Sequence, residues 1–201
     1  MTIAGGTLTS RAFSKHVAEP FVNLLENFIM KNIEIRDAVV GEEVVIKNIA
    51  WGTWWSAYRT IISEDQIRYM LEALYNEAEL RQLIVSDDQR FILLWEDGVA
   101  HGFAAYAVRP EDPSVCKLHK LYVLPECQGK GYGRRLLEEI TTRLKAQDIR
   151  KLDLNVNRQN PAFDFYRAYG FDVLRQEDIA IGPYWMNDYV MRLDIGSGSV
   201  A

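Results

Sequence analysis

The sequence predicts an α/β (α+β) fold in which helices layer a single β-sheet. Three observations predict it. Apolar residues make up 48% of the 201-residue chain, enough for one well-packed core. In the second half, strand-like segments alternate with amphipathic helical ones. Before them lies a hairpin pattern turned at Glu96-Asp97-Gly98.

The elements follow in chain order. Residues 1–30 read as an N-terminal extension: the start is small and polar, Gly5-Gly6 is flexible, and Met30, a candidate start of translation, immediately precedes a strand-like segment. Residues 32–39 alternate apolar and polar side chains as a half-buried strand does. An amphipathic helical region is expected over residues 42–58. Ser63-Glu64-Asp65-Gln66 is a capping box that opens a helix through Ile67, Met70, Leu71 and Leu74. Residues 91–95 and 98–108 are the two arms of the hairpin, and residues 117–124 form a third strand of the group. A further strand is expected over residues 151–156. The main domain is placed at residues 31–195, and Gly196-Ser197-Gly198-Ser199 makes residues 196–201 a flexible tail.

Charge narrows the partners. The chain has 23 Lys and Arg against 28 Asp and Glu, a formal charge of -5. No basic stripe marks a nucleic-acid surface, and an acidic balance weakly favours a cationic substrate. Cys116 and Cys127 form no CxxC pair, and His16, His101 and His119 are scattered, so neither a zinc site nor a disulfide framework is expected. No apolar run reaches the ~18–20 residues that span a bilayer. The expectation is a cytoplasmic protein with reduced thiols, no metal and no membrane contact.

The strongest local signal is Leu121-Tyr122-Val123-Leu124-Pro125-Glu126-Cys127-Gln128-Gly129-Lys130-Gly131-Tyr132-Gly133-Arg134-Arg135. A strand ends near Val123, Pro125 breaks it, and a glycine-rich turn opens a helix with Leu136, Leu137, Ile140 and Leu144 on one face. The glycines let the backbone approach a ligand and aim successive N–H groups at it. The helix N-terminus adds unpaired N–H groups and a positive dipole end. Lys130, Arg134 and Arg135 surround the same spot, so the whole suits a pyrophosphate. No glycine here is followed by Lys and then Ser or Thr, which excludes a P-loop. A GxGxxG fingerprint counted from Gly129 meets Arg134 where its third glycine belongs.

Gln128, Gly131 and Gly133 instead match Q-x-x-G-x-G, and the turn resembles the acetyl-CoA loop of the GCN5-related N-acetyltransferase (GNAT) family. Downstream, Asn160, Ala162, Tyr166, Gly170 and Phe171 resemble that family's second signature, N-x-A-x-x-x-Y-x-x-x-G-F. Read as residues alone, Asn160 is a helix N-cap, Pro161 suits the first helical position and Gly170 a C′ terminator. The resemblance covers about residues 31–195 and is most detailed over 117–171. It implies a mixed, mostly antiparallel sheet with helices on both faces and two central parallel strands that splay apart. Pantetheine would lie in the gap beside Leu121, Tyr122 and Val123. The early Trp54, Trp55, Tyr58 region and the terminal segment from Met186 to Met191 are similar to a bacterial subgroup that includes polyamine acetyltransferases.

The implied activity is transfer of an acetyl group from acetyl-CoA directly to a primary amine of a small molecule in a ternary complex. A protein or peptide acetyltransferase and a non-catalytic acyl-CoA sensor are the alternatives. The implied cofactor contacts are Leu121, Tyr122, Val123, Gln128, Gly129, Lys130, Gly131, Tyr132, Gly133, Arg134, Asn160, Ala162 and Tyr166. Tyr166, a weak acid with pKa ~10, is the expected donor to the CoA thiolate, and a backbone N–H near Val123 the oxyanion donor. Direct attack needs no enzyme nucleophile, so the cysteines are bystanders. Strand alternation puts Lys117, His119, Leu121 and Val123 on one face, making His119 a candidate base beside a water relay. Trp54, Trp55, Tyr58 and Trp185, with Tyr106 and Tyr184, are candidates to hold a cationic acceptor or else fill core. Family members are often homodimers.

Overall fold

A computed structural model describes residues 32–196. The expected extension, Met30 and all of the expected tail except Gly196 lie outside the described residues. A short strand, β1 (Ile33–Asp37), leads into α1 (Glu43–Tyr58), α2 (Glu64–Leu74) and α3 (Glu77–Ser86). The capping box forms by half. Ser63 Oγ accepts the Gln66 N–H at 3.2 Å, while the Gln66 side chain leaves the cap and donates to the Trp185 carbonyl at 2.8 Å. Asn76 caps α3 by accepting the Glu79 N–H at 2.8 Å.

The hairpin arms are β2 (Arg90–Glu96) and β3 (Val99–Arg109). Asp97 and Gly98 both take positive φ, 51° and 80°, as a tight two-residue hairpin turn requires. The third strand, β4 (Asp112–Val123), starts earlier than the apolar pattern announces, because Asp112, Pro113 and Ser114 are exposed. Then come α4 (Tyr132–Ala146), β5 (Lys151–Asn157), α5 (Ala162–Tyr169), β6 (Asp172–Ile181) and β7 (Tyr184–Asp194).

The seven strands make one sheet in the order β1-β2-β3-β4-β5-β7-β6. Every pairing is antiparallel except β4–β5. Both faces are covered. Leu136, Leu137, Ile140 and Leu144 of α4 pack with Ile92, Leu94, Leu118, Leu152 and Leu154 on one face. On the other, Ile46, Ile49 and Trp54 of α1 join Ile67, Met70 and Leu71 of α2 against Phe91, Leu93 and Phe103. The strict alternation in β2 follows from this sandwiching, each face supplying one apolar layer. Among the described residues no helix is long and apolar enough to cross a membrane.

Two irregularities position the site. The β4–β5 register ends at Leu118 opposite Leu154, although β4 runs on to Val123 and β5 to Asn157. The strands therefore part at the middle of the sheet. At the same level, Ala105 of β3 faces Lys120 and Tyr106 faces Leu118, so His119 is an extra residue in a β-bulge. The bulge overturns the alternation read from the sequence. Cys116 and Leu118 before it, and Leu121 and Val123 after it, all pack on the α4–α5 face. Lys120 and Tyr122 turn to the α1–α3 face, where the Lys120 ammonium lies 5.9 Å from the Tyr75 ring centre.

Candidate active site

The glycine turn begins with a 3₁₀ turn at Pro125–Cys127, in which the Cys127 N–H reaches the Leu124 carbonyl at 2.8 Å. Gly129 and Gly131 follow with φ of 80° and 81°, and a Cβ at either would meet nothing within 4 Å. Glycine is required there by conformation and not by crowding. Gly133 is different: its Cβ would lie 3.3 Å from Phe165 Cζ, so it lets the start of α4 close on α5. After the Gln128 N–H, which bonds the Pro125 carbonyl at 3.2 Å, the next N–H of the turn to return to the chain outside regular elements is that of Arg135, which bonds the Gly131 carbonyl at 3.0 Å. The N–H groups of residues 129–134 appear in none of the main-chain bonds outside regular elements. This is an array of donors beside a positive helix end, and it fits a diphosphate.

Both flanks of the turn are tied to the β2–β3 hairpin. The Tyr132 hydroxyl donates to Glu96 Oε1 at 2.6 Å. His101 Nδ1 lies 3.2 Å from Cys127 Sγ, and its Nε2 lies 3.7 Å from Glu96 Oε2. Burial, then the Glu96 carboxylate, pushes the Tyr132 phenol up to about 12. In the sequence Glu96 reads only as a turn residue, and His101 as one of three scattered histidines. Nothing local links them to a loop some 30 residues on, because the register of β3 on β4 makes that link.

The second signature folds into the expected helix ended by Gly170, but the helix starts one residue later than Asn160 and Pro161 predict. Asn160 Oδ1 accepts the Ala162 N–H at 2.9 Å, but Asn160 lies two positions before the helix, whose cap position is Pro161 and whose first residue is Ala162. Gly170, at φ 115°, ends α5 by donating to the Arg167 carbonyl at 3.1 Å. Between them Tyr166 is 8% exposed, with its ring 5.6 Å from that of Phe171. Burial, then neighbouring Tyr58, raises its phenol well above the ordinary value. It stays protonated until a strong base forms beside it.

The parting of β4 and β5 opens a cleft of about 670 Å³. Its walls are the end of β4, the glycine turn, the end of β5, the start of α5 and the last turn of α1. Of the residues expected at the site, Leu121, Tyr122, Val123, Gln128, Gly129, Gly131, Tyr132, Gly133, Arg134, Asn160, Ala162, Tyr166, His119 and Tyr58 line it. Lys130 does not. Its ammonium sits 5.8 Å from the Tyr132 ring centre. Trp54 is 3% exposed and packs behind Tyr58, their rings 4.6 Å apart, so it is core. Trp55 stacks under the Arg68 guanidinium at 5.1 Å. Trp185 is 58% exposed on the β6–β7 hairpin. Tyr106 lies deep in the α4–α5 face, beside Arg143. These four aromatic side chains do not wall the cleft.

His119 reaches solvent at the cleft, yet crowding by protein and then the charges of Lys120, Lys117 and Arg109 lower its imidazole to about 4. Both thiols are buried and free, and burial pushes Cys116 up to about 12. Among the described residues no group of His, Cys, Asp and Glu could hold a metal ion.

Comparison with known proteins agrees with this geometry. Residues 59–187 match the family described as Acetyltransferase (GNAT) domain. A spermidine N(1)-acetyltransferase of Thermoplasma acidophilum is 29% identical over 147 residues, 71% of this chain and 89% of that protein. The uncharacterized N-acetyltransferase YuaI of Bacillus subtilis is 27% identical over 151 residues, 74% of this chain and 86% of its own. Among solved structures, the PaiA N-acetyltransferase of Thermoplasma acidophilum in complex with coenzyme A superposes with a TM-score of 0.71 at 29% identity, covering 81% of this chain and 99% of the other. The glycine turn, the buried phenol and the parted strands are in keeping with these matches: the chain belongs to the GNAT acetyltransferase family and is an acetyl-CoA-dependent N-acetyltransferase.

Proposed function

We propose that this enzyme transfers the acetyl group of acetyl-CoA directly to a primary amine of a small, polyamine-like molecule. One observation carries the reading: the cleft passes through the gap between β4 and β5, with the glycine turn at one end and Tyr58, His119 and Asn155 among its other walls. Acetyl-CoA entering along the turn presents its thioester in the gap, and an amine approaches from the remaining side. The spermidine acetyltransferase relative supports a polyamine-like acceptor.

Three needs of the reaction are met by this chain's own groups. The backbone N–H near Val123, on the β4 edge freed from β5, faces the developing oxyanion; one such donor is worth about 2.7–4 kcal/mol. Tyr166 protonates the departing thiolate, its phenol being kept neutral by burial. The amine, with a pKa of ~10, loses its proton to a base or through water. His119, held at about 4, is a weak acceptor for that task, which favours the water relay over the imidazole.

The test is release of CoA thiol from acetyl-CoA with polyamines, amino acids, aminoglycosides and peptides, run beside Tyr166→Phe. Wild-type protein is expected to prefer polyamines. Tyr166→Phe is expected to keep its acetyl-CoA affinity and lose about 100-fold or more in kcat. Thiol release with no amine would refute the proposal, and full kcat in Tyr166→Phe would remove the phenol from it.

A further inference from the structure

The edge of β4 freed from β5 carries a contact that neither the diphosphate turn nor Tyr166 uses. The Leu124 N–H bonds the His101 carbonyl at 2.9 Å, and Val123 stands opposite Gly102 on β3. Main-chain groups of successive strand residues point to alternate sides, so Leu124 faces β3 and Val123 faces away from it. That side is open, because the pairing of β4 with β5 ends at Leu118 opposite Leu154. The N–H and the carbonyl of Val123 are therefore both turned into the gap. Val123 is 9% exposed, so its carbonyl needs a donor from the protein or from a ligand.

The donor is a side chain of the glycine turn. Gln128 Nε2 donates to the Val123 carbonyl at 3.4 Å, and both residues line the cleft. The Gln128 main chain is held, its N–H bonding the Pro125 carbonyl at 3.2 Å, but the residue is exposed and its side chain turns on three bonds. At 3.4 Å the bond is long against the usual ~2.9 Å, and therefore weak. A buried carbonyl is thus served by a donor that a better one would replace. Acetyl-CoA brings a better one. With its diphosphate on the turn and its thioester in the gap, its arm must pass the end of β4. That arm contains amide groups, the nearer of them separated from the sulfur by a pair of methylenes.

We infer that the Gln128 side chain is a placeholder: it caps the Val123 carbonyl in the free enzyme, and an amide N–H of the acetyl-CoA arm displaces it on binding. This rests on the course of acetyl-CoA from the turn to the gap and is independent of which amine is acetylated. One hydrogen bond is exchanged for another, and no covalent step is involved. Breaking the Gln128 bond subtracts from the affinity of every ligand that carries the arm and of none that lacks it. Product CoA keeps the whole arm, so it meets the same competition, and return of the Gln128 amide to Val123 assists its departure.

A purely structural tie would act differently. The segment around Leu124 is already held on both sides: its N–H bonds His101, and its carbonyl accepts the Cys127 N–H at 2.8 Å. Gln128 adds a weaker contact to a stretch that short main-chain bonds fix, so the turn keeps its shape without it. A placeholder stabilises the free protein and not the complex. A tie would stabilise both alike, and that difference can be measured.

The experiment compares the full chain as wild type and as Gln128→Met, which keeps the length of the side chain and loses the donor. Calorimetric titration uses acetyl-CoA and a CoA fragment without the arm, 3′-phosphorylated adenosine diphosphate. Melting curves are run on free protein and at one saturating acetyl-CoA concentration. Gln128→Met is expected to bind acetyl-CoA about three- to tenfold more tightly and the armless fragment within about twofold of wild type. Free Gln128→Met should melt below free wild type, and the two should melt together when saturated. A gain in acetyl-CoA affinity of less than threefold, or any loss, would overturn the inference, as would an armless fragment that shifts by the same factor. If Gln128→Met does not fold, Gln128→Asn, which keeps an amide but is one methylene too short, decides by the same comparison. Wild-type protein that fails to bind acetyl-CoA would overturn the course assigned to the cofactor, and this inference with it. A failure confined to Gln128→Met leaves the acetyl-transfer reading standing.

Discussion

The Tyr132 hydroxyl donates to Glu96 Oε1 at 2.6 Å, which anchors the first residue of α4 to the β2–β3 hairpin. On the other flank of the glycine turn, His101 contacts Cys127 and reaches back toward the same carboxylate. The hairpin therefore fixes the distance between the two ends of the turn, and with it the aim of the N–H groups of residues 129–134. A flexible turn would have to be ordered by acetyl-CoA itself at the expense of affinity.

Tyr132→Phe tests that arrangement. It removes the donor from a buried carboxylate, a loss worth about 1.5–3 kcal/mol for a hydrogen bond to a charged group. The expected outcome is a lower unfolding free energy by that order, together with a KM for acetyl-CoA that rises more than kcat falls. Denaturant titration and steady-state kinetics check both. An unchanged KM would mean that the hairpin steadies the core without steadying the turn.

Gly131→Ala separates conformation from space at the same turn. A Cβ would meet nothing within 4 Å, but φ is 81°. Forcing an alanine into that region costs roughly 1–2 kcal/mol, unless the turn moves away from it. Either response spoils the donor array. Acetyl-CoA binding is expected to weaken at least about tenfold in calorimetric titration, with the far-ultraviolet helix signal unchanged.

The extent to which this fold could be read in advance follows the range of the interactions. Ser63, Asn160 and Gly170 act within a few residues of themselves, so the starts of α2 and α5 and the end of α5 are written locally. Gly129 and Gly131 are likewise local, since a positive φ has few other occupants. The bulge at His119 is not. Alternation along β4 alone continues through it, and only the pairing with β3 reveals the extra residue. The same holds for Glu96 and His101, whose roles arise from strands joined far along the chain. Trp54 and Trp185 show the limit of composition. An aromatic side chain that buries 97% of its surface and one that leaves 58% exposed are the same letter in the sequence.

Asp188 also makes a prediction about stability. Burial raises its carboxyl from 3.8 to about 6, so the folded chain holds this proton more tightly than the unfolded chain. The stability gained from the protonated form is fully present below about pH 4 and is lost as pH rises through about 6. Above that, the folded protein carries a buried charge that the unfolded chain would solvate. Asp188→Asn removes the charge and keeps the polar outline. It is expected to raise stability at pH 7.5 by on the order of 2 kcal/mol, or roughly 4–8 °C in Tm, with the advantage shrinking toward zero below pH 4. Melting curves across pH 4–8 measure it. A carboxylate kept for its contribution to folding would behave the other way, its removal lowering Tm most at neutral pH. A variant more stable at neutral pH would mean that the chain keeps an unfavourable charge for a reason other than folding.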